Sequence, residues 1–287
     1  MVAKIPLPVE DSLAVITRII NDRVRYRDFY ERLRADWLRS AELYIEHRGD
    51  PVNVQALNLL AFTATPEEAT ERKQSLIGLY SAKEGQFHYD ILASLRRDHR
   101  LIICPSCGGP VVPGTLDHYL PKTTFPEFSV LLVNLTPMCN ACQEAKGASF
   151  LTENNQKKYL HSYFDEIILP IYSVHFSGNL MTPEFSVLFN NLLPPAHLEL
   201  ARQHIAGTKI EERFLSYCET KYIHILKTSE KLRRAGNSEL LEFTVETFLD
   251  NAELSSINCW EAIFYRSVLS SPVLINYLKY GQLPEQL

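Results

Sequence analysis

Two stretches, each beginning with a cysteine pair, decide how the middle of the chain folds. They are CPSCGGPVVPGTLDHYLPK, residues 104–122, and CNACQEAKG, residues 139–147. A C-x2-C turn points two sulfurs at one spot, so two such turns can supply the four thiolates of a tetrahedral zinc site. Gly108 follows the second cysteine, where a glycine lets backbone amides turn towards the sulfurs. The sequence therefore predicts one structural Zn²⁺ ion bound by four residues: Cys104, Cys107, Cys139 and Cys142.

The cysteine pairs have two other interpretations, disulfide bonds and a redox-active C-x2-C motif. The N-terminus lacks a long apolar core followed by a small-residue cleavage site, so the expected location is the cytoplasm, where cysteines stay reduced. A redox motif does not explain why there are two pairs. The other two cysteines, Cys218 and Cys259, lie singly in helical patterns and are expected to be small core residues.

The segment between the cysteine pairs is predicted to begin a ββα unit. VVPGTLDHYL, residues 111–120, has the composition of a short strand that leads into Asp117 and His118, and VNLTPMC, residues 133–139, can return beside it. NACQEAKGASF, residues 140–150, then predicts a helix. Neighbouring side chains alternate along a strand, so Asp117 and His118 can serve one site only if the strand ends or bulges there.

The regions on either side are predicted to be helical, which gives a mostly α-helical α+β fold. We expect a helical N-terminal region (1–100), the zinc-bound ββα unit (101–166) and a mainly helical C-terminal region (167–287). Residues 9–48 contain neither glycine nor proline and repeat apolar residues at helical spacing. Thr65, Pro66 and Glu68 match a helix start, whereas Gly236 matches a helix end. Residues 167–207 are mixed and give no clear prediction.

The overall charge argues weakly against a protein that binds duplex nucleic acid through a basic surface. The chain has 29 Lys and Arg against 34 Asp and Glu, a formal net charge of −5. A local basic groove is still compatible with this value, because affinity for nucleic acid depends on where the charges lie. No apolar run approaches the length of a membrane span, so no membrane partner is expected.

The order of these motifs resembles the HNH endonucleases of the ββα-metal class, in their zinc-bound form. That family has a cysteine pair, Asp-His, Asn-Leu, and a second cysteine pair followed by Asn or His and a lysine. The corresponding residues here are Asp117-His118, Asn134-Leu135 and Lys146-Gly147, between and after the two cysteine pairs. DHYLPKTTFPEFS, YLHSYFDEI and the upstream LYSAKEGQFHYDIL also resemble a bacterial subgroup with DHxLPK and HPYFD-like motifs. The likeness covers roughly residues 76–166.

The resemblance implies a metal-dependent hydrolase that cleaves phosphodiester bonds in DNA. It implies that His118 is the general base, that Asp117 binds the catalytic Mg²⁺ or Mn²⁺, and that Asn134 hydrogen-bonds to His118 and orients it. Lys122 and Lys146 are candidates to contact phosphate. Some members of the subgroup are encoded beside ATPases of phage-defence systems, so the resemblance implies antiviral defence and such an ATPase as a candidate protein partner.

One position departs from the family pattern. Where the family has Asn or His after the second cysteine pair, this chain has Gln143, whose amide oxygen can also bind a hard cation but is one methylene further from the backbone. Asn140 shares a helix face with Gln143 and is an alternative ligand. His161, in YLHSYFDEI, is a third candidate if the chain folds back onto the site. The other interpretation of that segment is an aromatic anchor for the ββα unit.

A second function from a different class stays open. The chain is then a non-catalytic zinc module that binds nucleic acid or a protein partner, with a degenerate ββα unit. The presence of Asp117, His118 and Asn134 favours the nuclease, because a module without catalytic constraint is expected to lose one of them. Gln143 is the feature that favours the non-catalytic module.

Overall fold

The computed structural model describes residues 3–284 and has a mostly helical α+β fold. The chain divides into two compact units. The first combines Lys4–Leu101 with Pro113–Asp165, and the second combines Ile102–Val112 with the chain from Glu166 onward. Most of the predicted N-terminal region and most of the predicted ββα region therefore belong to one unit. No helix among the described residues is long and apolar enough to cross a membrane.

The N-terminal part of the first unit is built from four helices: α1 Ser12–Asn21, α2 Arg27–Glu46, α3 Pro66–Gly78 and α4 Phe87–Arg97. The helical stretch predicted for residues 9–48 is thus two helices, separated by a turn in which Tyr26 has a left-handed backbone (φ 61°). In that turn Arg23 lies over the ring of Tyr30, with Cζ 4.7 Å from the centroid. Because the chain changes direction at this turn, α1 and α2 can bury their apolar stripes against each other.

The predicted helix ends are confirmed. The hydroxyl of Thr65 accepts a hydrogen bond from the backbone N–H of Glu68 (3.2 Å), while the Glu68 carboxylate accepts one from the N–H of Ala64 (2.9 Å). This exchange satisfies backbone donors that the first turn of α3 leaves without partners. Gly236 has a positive φ of 71° and directly follows the long helix α7 (Ile210–Arg234) and its C-cap, as a C-terminal glycine should.

The ββα order is confirmed. Strands β1 (Thr115–His118) and β2 (Leu135–Met138) form an antiparallel pair, in which Asp117 lies opposite Thr136 and His118 opposite Leu135. Helix α5 (Asn140–Lys146) follows. Strand β1 ends at His118, as the Asp117–His118 pair requires. The loop between the strands contains two 3-10 turns, Pro126–Phe128 and Leu132–Asn134.

Large aromatic side chains of α2 hold this loop against the helices. Trp37, Tyr44 and Phe128 are fully buried, and the rings of Tyr44 and Phe128 meet edge to face with centroids 5.0 Å apart. The indole N–H of Trp37 donates to the backbone oxygen of Glu127 (2.7 Å). Because each such ring removes a large apolar area from water, this packing fixes the β1–β2 loop on the helical layer.

The second unit pairs a β-hairpin with five helices. Its elements are β3 Tyr172–Ser177, β4 Glu184–Phe189, α6 Pro195–Gly207, α7, α8 Leu241–Glu253, α9 Trp260–Leu269 and α10 Pro272–Tyr280. The unassigned residues 167–207 thus contain the hairpin and α6. Cys218 and Cys259 are buried, which confirms them as core residues.

Candidate metal centre and Asp117–His118 site

The four paired cysteines are buried, and their sulfur atoms all lie within 4.8 Å of one another. Four thiolates around zinc, each about 2.3 Å from the ion, are about 3.8 Å apart in a tetrahedron. The cluster could therefore hold a metal ion such as zinc. Within residues 3–284 it is the one group of at least three His, Cys, Asp or Glu side chains close enough to share an ion.

The first cysteine pair sits on a tight turn of the predicted kind. The N–H of Gly108 donates to the carbonyl of Cys104 (2.7 Å), and the N–H of Gly109 donates to the sulfur of Cys107 (3.4 Å). Gly108 has a positive φ of 77°, which a residue with a side chain rarely adopts. A Cβ atom on Gly109 would lie 3.2 Å from the ring of Trp260. Gly108 therefore suits its backbone conformation, and a side chain at Gly109 would be tightly placed against Trp260.

Asp117 forms a buried ion pair with Lys146. The ammonium of Lys146 lies 2.9 Å from Asp117 Oδ2 and donates to the carbonyl oxygen of His118 (2.9 Å), which ties α5 to the end of β1. Both side chains are almost inaccessible to solvent. At this distance Lys146 is the cation that compensates the buried charge of Asp117. Burial raises the pKa of Asp117, and the Lys146 charge opposes that rise.

The placement of Lys146 does not fit the phosphate contact expected from the sequence. Its ammonium is buried and engaged with Asp117 and the His118 backbone. It occupies a position beside the carboxylate where a metal ion could otherwise bind. An ammonium and a divalent ion repel each other, so the two compete for Asp117.

His118 is held in one tautomer by the loop. Its Nε2 lies 3.1 Å from the backbone oxygen of Ser129, whose hydroxyl is in turn hydrogen-bonded to the carbonyl of Leu76 at 2.6 Å. A carbonyl can only accept, so Nε2 carries the proton and Nδ1 keeps its lone pair. Burial lowers the pKa of His118 to about 3, assisted by the charges of Lys122 and Lys146. The imidazole is therefore neutral near pH 7.

Tyr80, which the sequence did not single out, packs against His118. The two ring centroids lie 4.5 Å apart, edge to face, and the Tyr80 hydroxyl donates to the carbonyl of Leu116 in β1 (3.1 Å). The ammonium of Lys122 lies over the Tyr80 ring, 4.4 Å from its centroid. The one sequence signal for Tyr80 was its place in LYSAKEGQFHYDIL, upstream of the cysteine pairs. Ser129 gave no signal, because it acts through its backbone.

The expected hydrogen bond from Asn134 to His118 is wrong for this structure. The Asn134 amide nitrogen donates to the carbonyls of Leu120 (3.0 Å) and Phe128 (3.1 Å). Its oxygen accepts from the N–H of Leu120 (2.8 Å) and the hydroxyl of Tyr44 (3.0 Å). An amide offers two donors and two acceptor positions, so none is left for His118. Asn134 instead fixes the loop that follows His118.

His161 is a buried anchor, and its contacts do not favour the role of metal ligand that the sequence offered as one alternative. Its Nδ1 accepts from the N–H of Tyr163 (3.2 Å), and Nε2 lies 2.9 Å from the Tyr44 hydroxyl. Both ring nitrogens are thus occupied. The ring packs against Tyr119 and Phe164, with centroids 4.1 and 4.6 Å away. The alternative interpretation of this segment, an aromatic anchor, agrees with these contacts.

Gln143 and Asn140 lie on α5 in different surroundings. The amide nitrogen of Gln143 donates to the carbonyl of Leu116 (3.3 Å), next to Asp117. Its amide oxygen remains the atom that could bind a cation. Asn140 is exposed on the first turn of the helix, near Gly114. Of the two, Gln143 is therefore the one whose side chain contacts the strand that carries Asp117.

Glu127 is a buried carboxyl in the β1–β2 loop that the sequence analysis did not identify. One oxygen accepts from the N–H of Leu57 (2.8 Å), while Oε2 is buried without a hydrogen-bond partner among the described residues. Burial raises the pKa of Glu127 to about 7. The group is therefore partly protonated near neutral pH, two residues from the Ser129 carbonyl that holds His118.

Comparisons with known proteins add little to this geometry. Protein ea31 of Escherichia phage lambda is 34% identical to the chain over 65 residues. The match covers 23% of this chain and 22% of the phage protein, so the chain spans under a quarter of that relative's length. No family model matches the chain. No solved structure matches it either. A match of this extent does not show a family.

Proposed function

We propose that the chain is a metal-dependent endonuclease that hydrolyses phosphodiester bonds in DNA, with His118 as the general base. The observation that carries the proposal is the state of His118 at the end of β1. Its Nε2 proton is bound by the Ser129 carbonyl, which leaves Nδ1 as an acceptor on a neutral ring. A general base needs such an acceptor at its working pH.

His118 has two neighbours that suit phosphate chemistry. Tyr80 restricts the ring on one side, and Lys122 places a positive charge near it. After His118 takes a proton from water, the ring becomes a cation close to the negative phosphate. The low pKa of the ring makes it a weak base, so the reaction requires a second source of activation.

Asp117 is the residue proposed to bind the catalytic Mg²⁺ or Mn²⁺. The Lys146 ammonium lies 2.9 Å from its Oδ2, so the ion would share the carboxylate with that cation, and the amide oxygen of Gln143 is a second hard donor on the adjacent helix. Magnesium sites often use one or two carboxylates, with water and substrate phosphate completing the coordination. When bound, the ion lowers the pKa of water and neutralises charge on the phosphate. The zinc expected at the cysteine cluster is structural and takes no part in this chemistry.

A non-catalytic zinc module that binds nucleic acid or a protein is the second candidate. One observation favours it: the buried ammonium of Lys146 already neutralises Asp117. A defence ATPase as protein partner and a role in antiviral defence are proposed from the resemblance of the sequence to the bacterial HNH subgroup. They belong to the proposal under either candidate function.

A plasmid-cleavage assay separates the two candidates. Purified protein is incubated with supercoiled DNA and Mg²⁺, Mn²⁺ or EDTA, beside Asp117→Asn. The nuclease proposal predicts nicked or linear product with either metal, none with EDTA, and a much slower reaction for Asp117→Asn, which lacks the carboxylate proposed to bind the ion. Binding of DNA without cleavage under all conditions would favour the non-catalytic module.

A further inference from the structure

A group of three partly exposed side chains lies beside His118. We call Tyr80, Arg96 and Lys122 the Tyr80 cluster. The guanidinium of Arg96 donates to the Tyr80 hydroxyl (3.3 Å), with its Cζ 5.6 Å from the ring centroid. The ammonium of Lys122 lies 4.4 Å from the same centroid. One aromatic ring thus carries two cations and also contacts the proposed base.

Three separate elements of the first unit bring the cluster together. Tyr80 lies in the 3-10 turn Leu79–Ser81 that follows α3, Arg96 lies in the last turn of α4, and Lys122 lies in the loop after β1. The Tyr80 hydroxyl is fixed to the Leu116 carbonyl. The positions of both cations are therefore tied to the strand that ends at His118.

The two cations of the cluster differ from three cations of the same unit that are paired with carboxylates. Lys146 is paired with Asp117, Lys157 with Asp165, and Arg72 with two glutamates. Within residues 3–284, no carboxylate forms an ion pair with Arg96 or Lys122. Burial without such a partner also lowers the pKa of Lys122. Two cations that contact the same aromatic ring, neither of them in an ion pair with a carboxylate, suit a ligand that supplies negative charge.

We propose that Arg96 and Lys122 bind the phosphate backbone of the nucleic acid beside His118 and that Tyr80 positions both. This inference rests on the proposed nuclease function and names the residues that hold the substrate beside His118. A guanidinium presents several N–H donors in a plane and can bind two phosphate oxygens, while an ammonium contributes a point charge. Phosphate contacts fix the register of a duplex without reading its sequence. The cluster therefore predicts cleavage without strong sequence preference from these residues.

The test is DNA binding measured separately from cleavage. A fluorescein-labelled 20-base-pair duplex is titrated with full-length protein in buffer without divalent metal, and anisotropy is recorded at several salt concentrations. Wild type is compared with Arg96→Ala, Lys122→Ala and the double variant. Arg97→Ala and Lys158→Ala are matched controls. Arg97 is the exposed neighbour of Arg96, and the Lys158 ammonium lies over another tyrosine, Tyr159.

Each single variant is expected to weaken binding roughly tenfold at low salt, as loss of a charge-assisted hydrogen bond does. Each also reduces the slope of log K against log salt by about 0.9, the value for one phosphate contact. The controls are expected to keep the wild-type slope. This slope would not change if Arg96 and Lys122 served the fold alone.

The outcomes distinguish a failure of phosphate binding by the Tyr80 cluster from a failure of the proposed nuclease function. If wild type binds and cleaves DNA but Arg96→Ala and Lys122→Ala keep its affinity and salt slope, the Tyr80 cluster does not bind phosphate, and the proposed nuclease function is unaffected. If wild type neither binds nor cleaves any nucleic acid tested, the proposed nuclease function is wrong, and so is phosphate binding by the Tyr80 cluster. Circular dichroism of every variant confirms that a lost slope does not reflect unfolding.

Discussion

The buried ion pair between Lys146 and Asp117 makes a quantitative prediction. Lys146→Met keeps the length of the side chain and removes its charge. Asp117 then stays buried without a counter-ion, and the hydrogen bond to the His118 carbonyl is lost as well. We expect the variant to be destabilised by about 3 to 5 kcal/mol at pH 8, the range for breaking one side of a buried pair.

The geometry supports a value of that size. Two unit charges 2.9 Å apart attract by about 6 kcal/mol at an effective dielectric constant near 20. The pKa of Asp117 is raised by burial and held down by Lys146, so it rises further in the variant. A carboxyl whose pKa is higher in the folded than in the unfolded state loses stability as pH rises. The defect should therefore be larger at pH 8 than at pH 5.

Urea unfolding, followed by circular dichroism, measures the effect. Wild type, Lys146→Met, Asp117→Asn and the double variant are compared at both pH values in metal-free buffer without chelator. Asp117→Asn removes the buried charge, so the double variant should be at least about 2 kcal/mol more stable than the sum of the single effects predicts. Lys158→Met, which removes a partly exposed lysine, should cost less than about 1 kcal/mol.

Two results would refute this reasoning. One is a loss below about 1 kcal/mol for Lys146→Met at pH 8, which means that the ion pair does not hold α5 against β1. The other is strict additivity of the two substitutions, which means that their charges do not interact.

Three further predictions concern the loop, the anchor and the cysteine cluster. Burial raises the pKa of Glu127 to about 7 in the folded state, against an ordinary 4.5, so wild type should lose on the order of 3 kcal/mol of stability between pH 4.5 and 8. In urea unfolding, the stability of Glu127→Gln should depend much less on pH. Identical pH profiles for the two proteins would contradict the raised pKa of Glu127. Tyr44→Phe removes the hydroxyl shared by Asn134 and His161 and should cost about 1 to 3 kcal/mol by the same measurement; a neutral substitution would show that this contact is not needed. Elemental analysis of reduced protein should find about one zinc per chain, and Cys139→Ser should lose both the zinc and the fold of the ββα unit, whereas metal-free wild type would contradict the cluster as a zinc site.

The local parts of the fold could be predicted because they follow from short-range rules. The cap at Thr65, the glycine at 236 and the order of strands and helix around the cysteines each depend on residues a few positions apart. The turn between α1 and α2 was missed because tertiary packing, not glycine or proline, makes it. The β3–β4 hairpin was missed although both strands alternate more and less buried residues, so the period-two signal of a strand was present in the sequence and was not used.

The candidate site was predicted by residue type more accurately than by contact. Asp117 and His118 stand at the end of a strand as expected, since that depends on local sequence. Asn134 and His161 share one partner, the hydroxyl of Tyr44, which lies more than 80 positions earlier in the chain. The Ser129 carbonyl that orients His118 carries no side-chain signal at all. Such contacts depend on how α2 and the loop pack, which a motif does not encode.

The most direct measurement of the central claim is the rate of plasmid cleavage by His118→Ala. Protein preparations are matched by circular dichroism and zinc content, and His175→Ala, at an exposed position on β3, is the control for loss of a histidine. Loss of a general base is expected to slow the reaction by about 10² to 10⁴ in Mg²⁺ or Mn²⁺, while His175→Ala keeps the wild-type rate. Cleavage by His118→Ala at the wild-type rate with the same metal would contradict the account, because the base would then lie elsewhere.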